Sequence, residues 1–284
     1  MLVTTAIREP KAPRPFLKWV GGKGQLLGEL LPRVEAACSI ERYHEFFLGG
    51  GALFFHLSSL GMLGRQPPQL SDANQRLIEV FDALRKDANG VLAPLREHAR
   101  LHSPEHYYAT RASVPDTPAA RAARIIYLNR TCFNGLYREN SRGEFNVPMG
   151  RYDNPLICDA ANLRAVSVAL KRARITCQGF EQAAEAVAPG DFVYLDPPYD
   201  PVSETANFTS YHAMAFGREQ QRQLAATYRM LDQRGARLLL SNSDTPFIRE
   251  LYAGFRIEVV MASRNVNSRA DRRGRVAELL IRNY

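Results

Sequence analysis

The sequence is poor in the residues that build crosslinks and metal centres. It has four cysteines, Cys38, Cys132, Cys158 and Cys177, and no two of them form a Cys-x-x-Cys pair. This scatter argues against a disulfide framework and a zinc site, and it fits a reducing cytoplasm. No apolar run approaches the length of a membrane-spanning helix, and no N-terminal segment resembles a signal peptide. We therefore expect a soluble, cytoplasmic protein.

The chain also lacks two common nucleotide-binding signatures. It contains no Gly-x-Gly-x-x-Gly segment, which disfavours a nicotinamide-dependent oxidoreductase. The stretch Gly21-Gly22-Lys23-Gly24 lacks the Walker spacing and the trailing Ser or Thr, and it does not follow a predicted strand. We therefore reject a nucleoside triphosphatase.

Acidic residues are fewer than basic ones. Lysine and arginine number 37 against 29 aspartates and glutamates, which gives a formal net charge of +8. Basic residues concentrate at both ends of the chain, in residues 1–24 and 264–282. Clustered cations bind polyanions by displacing counterions, so the charge predicts a nucleic-acid partner. A charged surface that contacts only solvent is the alternative.

The most informative motif is Asp196-Pro197-Pro198-Tyr199, which follows the apolar run Phe192-Val193-Tyr194-Leu195. The run predicts a short buried strand, and ligand sites in open parallel sheets lie beyond the carboxyl ends of strands. The two prolines fix the backbone and remove two N–H donors, which leaves the carbonyls of Asp196 and Pro197 available to accept. One carboxylate, one carbonyl and one aromatic ring suit a planar base with an exocyclic amino group. A proline turn that merely ends a strand is the alternative.

A second motif is the segment Phe46-Phe47-Leu48-Gly49-Gly50-Gly51, which follows a predicted strand and opens a predicted helix. Glycines at such a position let a ligand approach backbone amides and a helix N-terminus. Asp72 ends the next predicted strand about twenty residues later, where an acidic side chain accepts from ribose hydroxyls. The pair predicts a nucleoside-containing cofactor, and a glycine turn without a ligand is the alternative.

Helical and strand patterns alternate in residues 42–71 and again from residue 163 onward, which predicts an α/β protein with a parallel sheet covered on both faces. Between them lies a stretch with helical patterns but no clear strands. We predict a sheet domain formed by residues 1–74 and 159–284, interrupted by a mainly helical unit of residues 75–158.

Taken together, these motifs resemble the Dam-type family of DNA adenine-N6 methyltransferases (D12 class, alpha group). The resemblance spans nearly the whole chain in the family's order, and it includes Phe16 to Lys23, the glycine motif, and Asp196 to Tyr199. Residues 128–138, 142–148, 205–211 and 240–245 are similar too. It implies a Rossmann-like methyltransferase sheet that uses S-adenosylmethionine and no metal, with residues 75–158 as the target-recognition domain.

The resemblance also implies roles for single residues in catalysis and cofactor binding. The catalytic motif is Asp196, Pro197, Pro198 and Tyr199. The cofactor would be bound by Trp19, Lys23, Phe47, Gly49, Asp72, Phe180 and Asp196. Because an adenine amino group is stacked and paired in a duplex, the base must be flipped out before Asp196 and Pro197 can accept its protons. Residues 207–212 would form a lid over it.

Recognition of the sequence GATC in duplex DNA is implied by the segment around residues 130–148. The DNA contacts would be made by Arg130, Phe133, Asn134, Leu136, Arg138, Asn140, Pro148 and Arg273. Arg138 would read a guanine, Asn134 and Leu136 neighbouring bases, and Phe133 would wedge into the stack that the flipped base leaves. Phe133 stands where other members carry Tyr. Arg273 would contact phosphate and set the register.

Several alternatives remain open from the sequence. The same catalytic motif suits adenine in RNA or the N4 amine of cytosine. A sequence-specific DNA-binding protein that keeps the fold without turnover is a second class. The enzyme would act either in a regulatory role or beside a cognate restriction endonuclease with which it forms no stable complex.

Overall fold

A computed structural model describes residues 12–19, 21–201, 216–263 and 275–284 of the chain. Its centre is a seven-stranded sheet with the strand order β3-β2-β1-β4-β5-β7-β6. The strands are β1 (Tyr43–Glu45), β2 (Gln69–Asp72), β3 (Arg174–Cys177), β4 (Phe192–Leu195), β5 (Arg237–Ser243), β6 (Arg256–Ser263) and β7 (Arg275–Arg282). The order reverses direction between β1 and β4, as in Rossmann-like sheets, which confirms the predicted fold class.

Ten α-helices occur in the described residues. They are α1 (Leu27–Ala36), α2 (Ala52–Ser59), α3 (Gln75–Lys86), α4 (Ala88–Arg100), α5 (Pro104–Ala112), α6 (Pro118–Thr131), α7 (Ala160–Leu170), α8 (Phe180–Glu185), α9 (Arg218–Gln233) and α10 (Pro246–Leu251). Several begin at side-chain caps that the sequence supplies. Asn74 accepts from the amide of Leu77, and Thr117 accepts from that of Ala120 just before Pro118. None of the described helices is long and apolar enough to span a bilayer.

The sheet is mixed rather than wholly parallel. β1 to β5 pair in parallel, whereas β7 runs antiparallel to both β5 and β6. The sequence gives no helical pattern between β6 and β7, and a parallel connection needs a crossover of about a dozen residues or more, usually a helix. An antiparallel return is therefore the arrangement that this part of the chain can form, so the predicted parallel sheet ends in an antiparallel edge.

Residues 75–158 contain helices α3 to α6 and a loop with two isolated antiparallel bridges, between Cys132 and Met149 and between Glu139 and Phe145. We call residues 132–149 the recognition hairpin. Leu92 and Tyr127 of this region belong to the same buried cluster as Leu70 and Phe192 of the sheet. One continuous core therefore runs through both parts, and the division at residues 75 and 158 stays a prediction.

Candidate active site

Three segments meet at the carboxyl edge of the sheet. The glycine motif follows β1, Asp72 ends β2, and Asp196 follows β4. Since β1 lies between β2 and β4 and all three are parallel, their carboxyl ends are neighbours. Strand order thus brings together side chains that are far apart in the sequence.

The glycine motif is held in a tight turn against Trp19. Gly49 and Gly51 have φ values of +48° and +67°, a region that residues with a Cβ rarely adopt. A Cβ on Gly49 would lie 3.1 Å from the indole of Trp19. The amide of Gly49 donates to Asp72 Oδ2 at 3.0 Å, and the amide of Asn74 donates to Asp72 Oδ1 at 2.9 Å. Asp72 therefore fixes the loop while remaining at its surface.

An aromatic cluster stands beside this loop. Phe47 lies 5.9 Å from Phe180, and Phe216 lies 5.6 and 5.9 Å from these two rings, measured between centroids. Phe180 is the first residue of α8 and is buried, whereas Phe47 is half-buried. Flat apolar walls of this kind suit a purine ring.

Asp196 is held through one of its two carboxylate oxygens. Lys23 Nζ and Ser241 Oγ each lie 2.8 Å from Oδ1, and Lys23 also donates to the carbonyl of Gly21 at 2.8 Å. Removal from water raises the pKa of Asp196, and the ammonium of Lys23 and the hydroxyl of Ser241 oppose that rise. The carboxylate is therefore a partly desolvated acceptor beside a single cation.

The ring of Tyr199 is fixed at its hydroxyl end. Its Oη donates to Glu278 Oε2 on β7 at 2.7 Å, and Lys23 Nζ lies 4.5 Å from the ring centroid. Burial and the nearby carboxylates raise the pKa of Tyr199 well above its usual value, so the phenol stays protonated. One face of the ring is thus covered by the Lys23 ammonium.

We call residues 196–200 the catalytic loop, and its backbone is tied to α9 and β5. Gln221 Nε2 donates to the carbonyl of Pro198 at 2.8 Å, and the amide of Asp200 donates to Asn242 Oδ1 at 3.2 Å. The carboxylate of Asp200 is buried and accepts from Thr245 Oγ1 at 2.9 Å. Among the described residues, no donor is bonded to the carbonyl of Pro197.

Glu45, at the end of β1, lies buried under the same edge. It accepts from Tyr43 Oη at 2.7 Å and from the amide of Phe54 near the start of α2. Burial raises its pKa to about 8. Sequence reasoning gave no role to Glu45, Gln221 or Glu278, because none of them has a local signature. Ser241 lies within the family-like segment 240–245 but was also given no role.

In the recognition hairpin, most of the predicted DNA contacts lie at the surface. Phe133 is 48% exposed, and Asn134, Arg138 and Pro148 are exposed as well, while Leu136 is half-buried. Asn134 has a φ of +54°, which turns the chain sharply within the 3₁₀ turn Phe133–Gly135. The hairpin thus presents side chains outward.

Three of the predicted DNA contacts make bonds of their own. Arg138 Nε donates to Asn146 Oδ1 at 2.7 Å. Asn140 closes a turn, because its Oδ1 accepts from the amides of residues 142 and 144. Arg130 lies on α6 rather than in the hairpin, where its Nε donates to the carbonyl of Leu156 at 2.9 Å. Arg273 and residues 207–212 lie outside the described residues.

A buried amide connects the hairpin to the segment that carries Trp19. Asn129 Nδ2 donates to the carbonyls of Lys18 and Gly135 at 2.8 and 3.2 Å, and Asn129 Oδ1 accepts from the amide of Lys18 at 2.7 Å. The ring of Trp19 lies 5.3 Å from that of Tyr137. The predicted cofactor site and recognition hairpin are therefore in direct contact.

Known proteins are similar in sequence to this chain over nearly its whole length. The model of the family described as D12 class N6 adenine-specific DNA methyltransferase matches residues 19–266. The Type II methyltransferase M.MjaIII of Methanocaldococcus jannaschii is 42% identical over 95% of this chain and 99% of its own. For the Type II methyltransferase M1.LlaDCHI of Lactococcus lactis subsp. cremoris the identity is 39% over 95% of both chains. The DNA adenine methylase of Escherichia coli strain K12 is 35% identical, also over 95% of both. The chain therefore belongs to the D12 class of N6 adenine-specific DNA methyltransferases.

Proposed function

We propose that this adenine-specific DNA methyltransferase modifies N6 of the adenine in GATC within duplex DNA, after flipping the base out of the helix. The observation that carries the proposal is the catalytic loop, where Asp196, the carbonyl of Pro197 and the ring of Tyr199 stand together at the edge of the sheet. A paired and stacked adenine cannot reach such a site, so the proposal requires flipping.

The family uses S-adenosylmethionine, and the glycine motif at the carboxyl edge of the sheet fits this cofactor. The indole of Trp19 packs on the glycine turn at Gly49, and Asp72 offers a carboxylate beside it. We propose that Trp19, Gly49 and Asp72 hold the cofactor, with Phe47 and Phe180 along its adenine. Lys23 and Asp196 would face its methionine part, since they form the neighbouring ion pair.

In this mechanism the bound cofactor supplies a methyl group on a positively charged sulfur, which is a good leaving group. Asp196 and the Pro197 carbonyl accept hydrogen bonds from the two N6 hydrogens, which localises the lone pair of an amine that is otherwise conjugated with the ring. Once the nitrogen carries the methyl group, it loses one of these protons. Tyr199 carries the base on its ring. Positioning and fixed charges supply the acceleration.

Sequence reading is assigned to the recognition hairpin. Arg138 has the donor geometry for a bidentate contact with guanine, and Asn134 that for adenine. Phe133 is an exposed aromatic side chain that can fill the gap left by a flipped base. We assign backbone or neighbouring contacts to Leu136, Pro148, Asn140, Arg130 and Arg273, since most protein–DNA hydrogen bonds go to the backbone.

The names of the relatives indicate two biological settings for such an enzyme. The Escherichia coli protein is called a DNA adenine methylase, and two relatives are called type II methyltransferases. We propose that the enzyme acts alone on DNA, and that any cognate restriction endonuclease shares its recognition sequence without forming a stable complex.

The proposal is tested by transfer of labelled methyl from S-adenosylmethionine to three duplexes. One contains GATC, one has its adenine replaced, and one has an outer base changed. Label confined to the first duplex supports the proposal. Label on the first and third duplexes supports adenine methylation but contradicts GATC recognition. Label on none of the duplexes contradicts duplex DNA as the substrate. A matched RNA duplex tests adenine in RNA as the substrate, and a DNA duplex with cytosine at the target position tests the N4 amine of cytosine.

The catalytic assignment is tested by Asp196→Asn, which keeps the shape and removes the charge. We expect the rate of methyl transfer to fall by at least about 100-fold, the scale seen when a fixed electrostatic group is removed. S-adenosylmethionine binding, measured by calorimetry, should change far less. Asp153→Asn is the control, because Asp153 is exposed and outside the site. Full turnover by Asp196→Asn would overturn the assignment.

Flipping itself has an independent readout. A duplex with 2-aminopurine in place of the target adenine becomes more fluorescent when that base leaves the stack. We expect the increase on binding to GATC but not to a duplex with a changed outer base. A specific complex without any increase would contradict base flipping.

A further inference from the structure

Strand register places a serine directly behind the catalytic carboxylate. Leu195 pairs with Leu240 across β4 and β5, so the residues that follow them, Asp196 and Ser241, are neighbours at the edge of the sheet. Ser241 is fully buried and donates to Asp196 Oδ1 at 2.8 Å. A buried hydroxyl in this position has no competing water, so the bond is a persistent constraint on the carboxylate.

Tyr194 lies behind Ser241 and determines the direction in which the Ser241 hydroxyl donates its hydrogen bond. Tyr194 Oη is 3.1 Å from Ser241 Oγ, and both side chains are buried. A serine has one proton to donate, and that proton is used on Asp196. Tyr194 must therefore be the donor to Ser241. The result is a directed chain of hydrogen bonds from Tyr194 through Ser241 to Asp196.

The two oxygens of Asp196 consequently have different tasks. Oδ1 accepts from both Ser241 and Lys23, which occupies its two lone pairs. Among the described residues, no donor is bonded to Oδ2. The side chain of Asp196 is 17% exposed. We therefore identify Oδ2 as the oxygen turned toward the site.

We propose that Ser241 is a positioning residue for methyl transfer, which, backed by Tyr194, holds the Asp196 carboxylate in the rotation that presents Oδ2 to the target amine. The inference rests on the proposed function, because it concerns how the same carboxylate is aimed. Without Ser241, Lys23 is the one partner of the carboxylate that remains among the described residues, and a single contact leaves the carboxylate freer to turn. Its oxygens would then meet the amine in a productive geometry for a smaller fraction of the time.

The same hydrogen bond affects the protonation of Asp196. Ser241 favours the carboxylate, so its removal raises the pKa of Asp196 beyond the rise that burial already causes. Only the ionised form of Asp196 is free to accept a hydrogen bond from the amine through Oδ2, so activity falls as the pH drops through the pKa of Asp196. The acid limb of the kcat profile should therefore move to higher pH. Among the described residues, the other ionisable groups that interact with Asp196 are left in place by this substitution; they are Lys23, Tyr43, Glu45, Tyr194 and Tyr199.

The test compares Ser241→Ala, Tyr194→Phe and the double variant in the full-length enzyme. For Ser241→Ala we expect kcat to fall about tenfold, the scale of one hydrogen bond, with the acid limb displaced to higher pH. The KM for S-adenosylmethionine should stay close to that of the wild type. Ser167→Ala is the control for loss of a buried serine, because Ser167 lies on α7.

Tyr194→Phe keeps the ring and removes only the donor, so it gives a smaller fall in kcat and tests the chain even if Ser241→Ala folds poorly. Since Tyr194 acts through Ser241, the double variant should be no slower than Ser241→Ala alone. Additive losses would contradict the chain. If Asp196→Asn is inactive but a folded Ser241→Ala enzyme has the wild-type kcat and pH profile, the inference about Ser241 is overturned and the proposed function stands. If Asp196→Asn is itself active, the proposed function fails instead.

Discussion

The catalytic loop and the recognition hairpin are built in opposite ways. In the loop, Gln221, Thr245 and Glu278 engage the carbonyl of Pro198, the carboxylate of Asp200 and the hydroxyl of Tyr199. In the hairpin, Arg138 makes one exposed side-chain bond, and Phe133 is about half exposed.

The difference follows from what each region is proposed to contact. Catalytic groups gain from fixed positions in a dry environment, because no reorganisation is then needed during the reaction. Groups that read DNA must instead exchange water for base edges, so they are exposed and only loosely held until DNA arrives. Substitutions in the loop should therefore affect stability and rate together, whereas those in the hairpin should affect DNA binding or specificity and leave stability unchanged.

The largest effect is expected when the loop loses its tie to α9. Gln221→Ala leaves the Pro198 carbonyl and the Asn242 amide without their buried partner, which costs about 3 kcal/mol in the free energy of unfolding. The rate of methyl transfer should fall as well. Urea unfolding and single-turnover kinetics measure both quantities. Gln223→Ala is the control, since Gln223 is exposed on the same helix. Equal stability of the two variants would contradict a tightly tied loop.

A smaller effect, of a different kind, is expected in the hairpin. Arg138→Ala should reduce discrimination between GATC and a duplex with a changed outer base by about 2 kcal/mol, the scale of one bidentate contact. The free energy of unfolding should not change, because the Arg138 side chain is exposed. The measurement is kcat/KM on both duplexes.

Arg142→Ala is the matched control for that experiment, because Arg142 is an exposed arginine of the same hairpin. It should weaken binding to both duplexes alike. If Arg142→Ala changed discrimination and Arg138→Ala did not, the assignment of the reading side chain would be wrong.

A third effect, on the pH dependence of stability, concerns the buried acid Glu45 below the same edge of the sheet. The pKa of Glu45 is about 8 in the folded protein, against an ordinary value of 4.5. Between these values the folded state binds more protons than the unfolded state, so stability decreases as the pH rises. The slope from this group is at most about 1.4 kcal/mol per pH unit. Glu45→Gln should flatten the dependence between pH 5 and pH 8, whereas Glu41→Gln, at an exposed site, should not. Parallel curves for wild type and Glu45→Gln in urea unfolding would refute this prediction.

Strands were easier to predict than the helices that contain proline. The bounds of β4 agree with the sequence prediction, because it is a short apolar run closely followed by two prolines. Helices α1 and α4 were not predicted, since Pro32 and Pro94 lie inside them and interior proline usually argues against a helix. Burial of Leu30 and Leu92 against the core outweighs the hydrogen bond that each proline removes.

The sequence alone determined the order of the motifs, the alternation of helices and strands, and the family, because these depend on local patterns and short signatures. Only the tertiary structure decided that Lys23 and Ser241 share one oxygen of Asp196 and that Glu278 holds Tyr199. Ser241 is 45 residues from Asp196 in the sequence, and Glu278 is 79 residues from Tyr199. These pairings arise from strand order and register, which are set by the packing of the whole core. A hydrogen bond between distant residues leaves no periodic pattern in the chain, so no local reading of the sequence contains it.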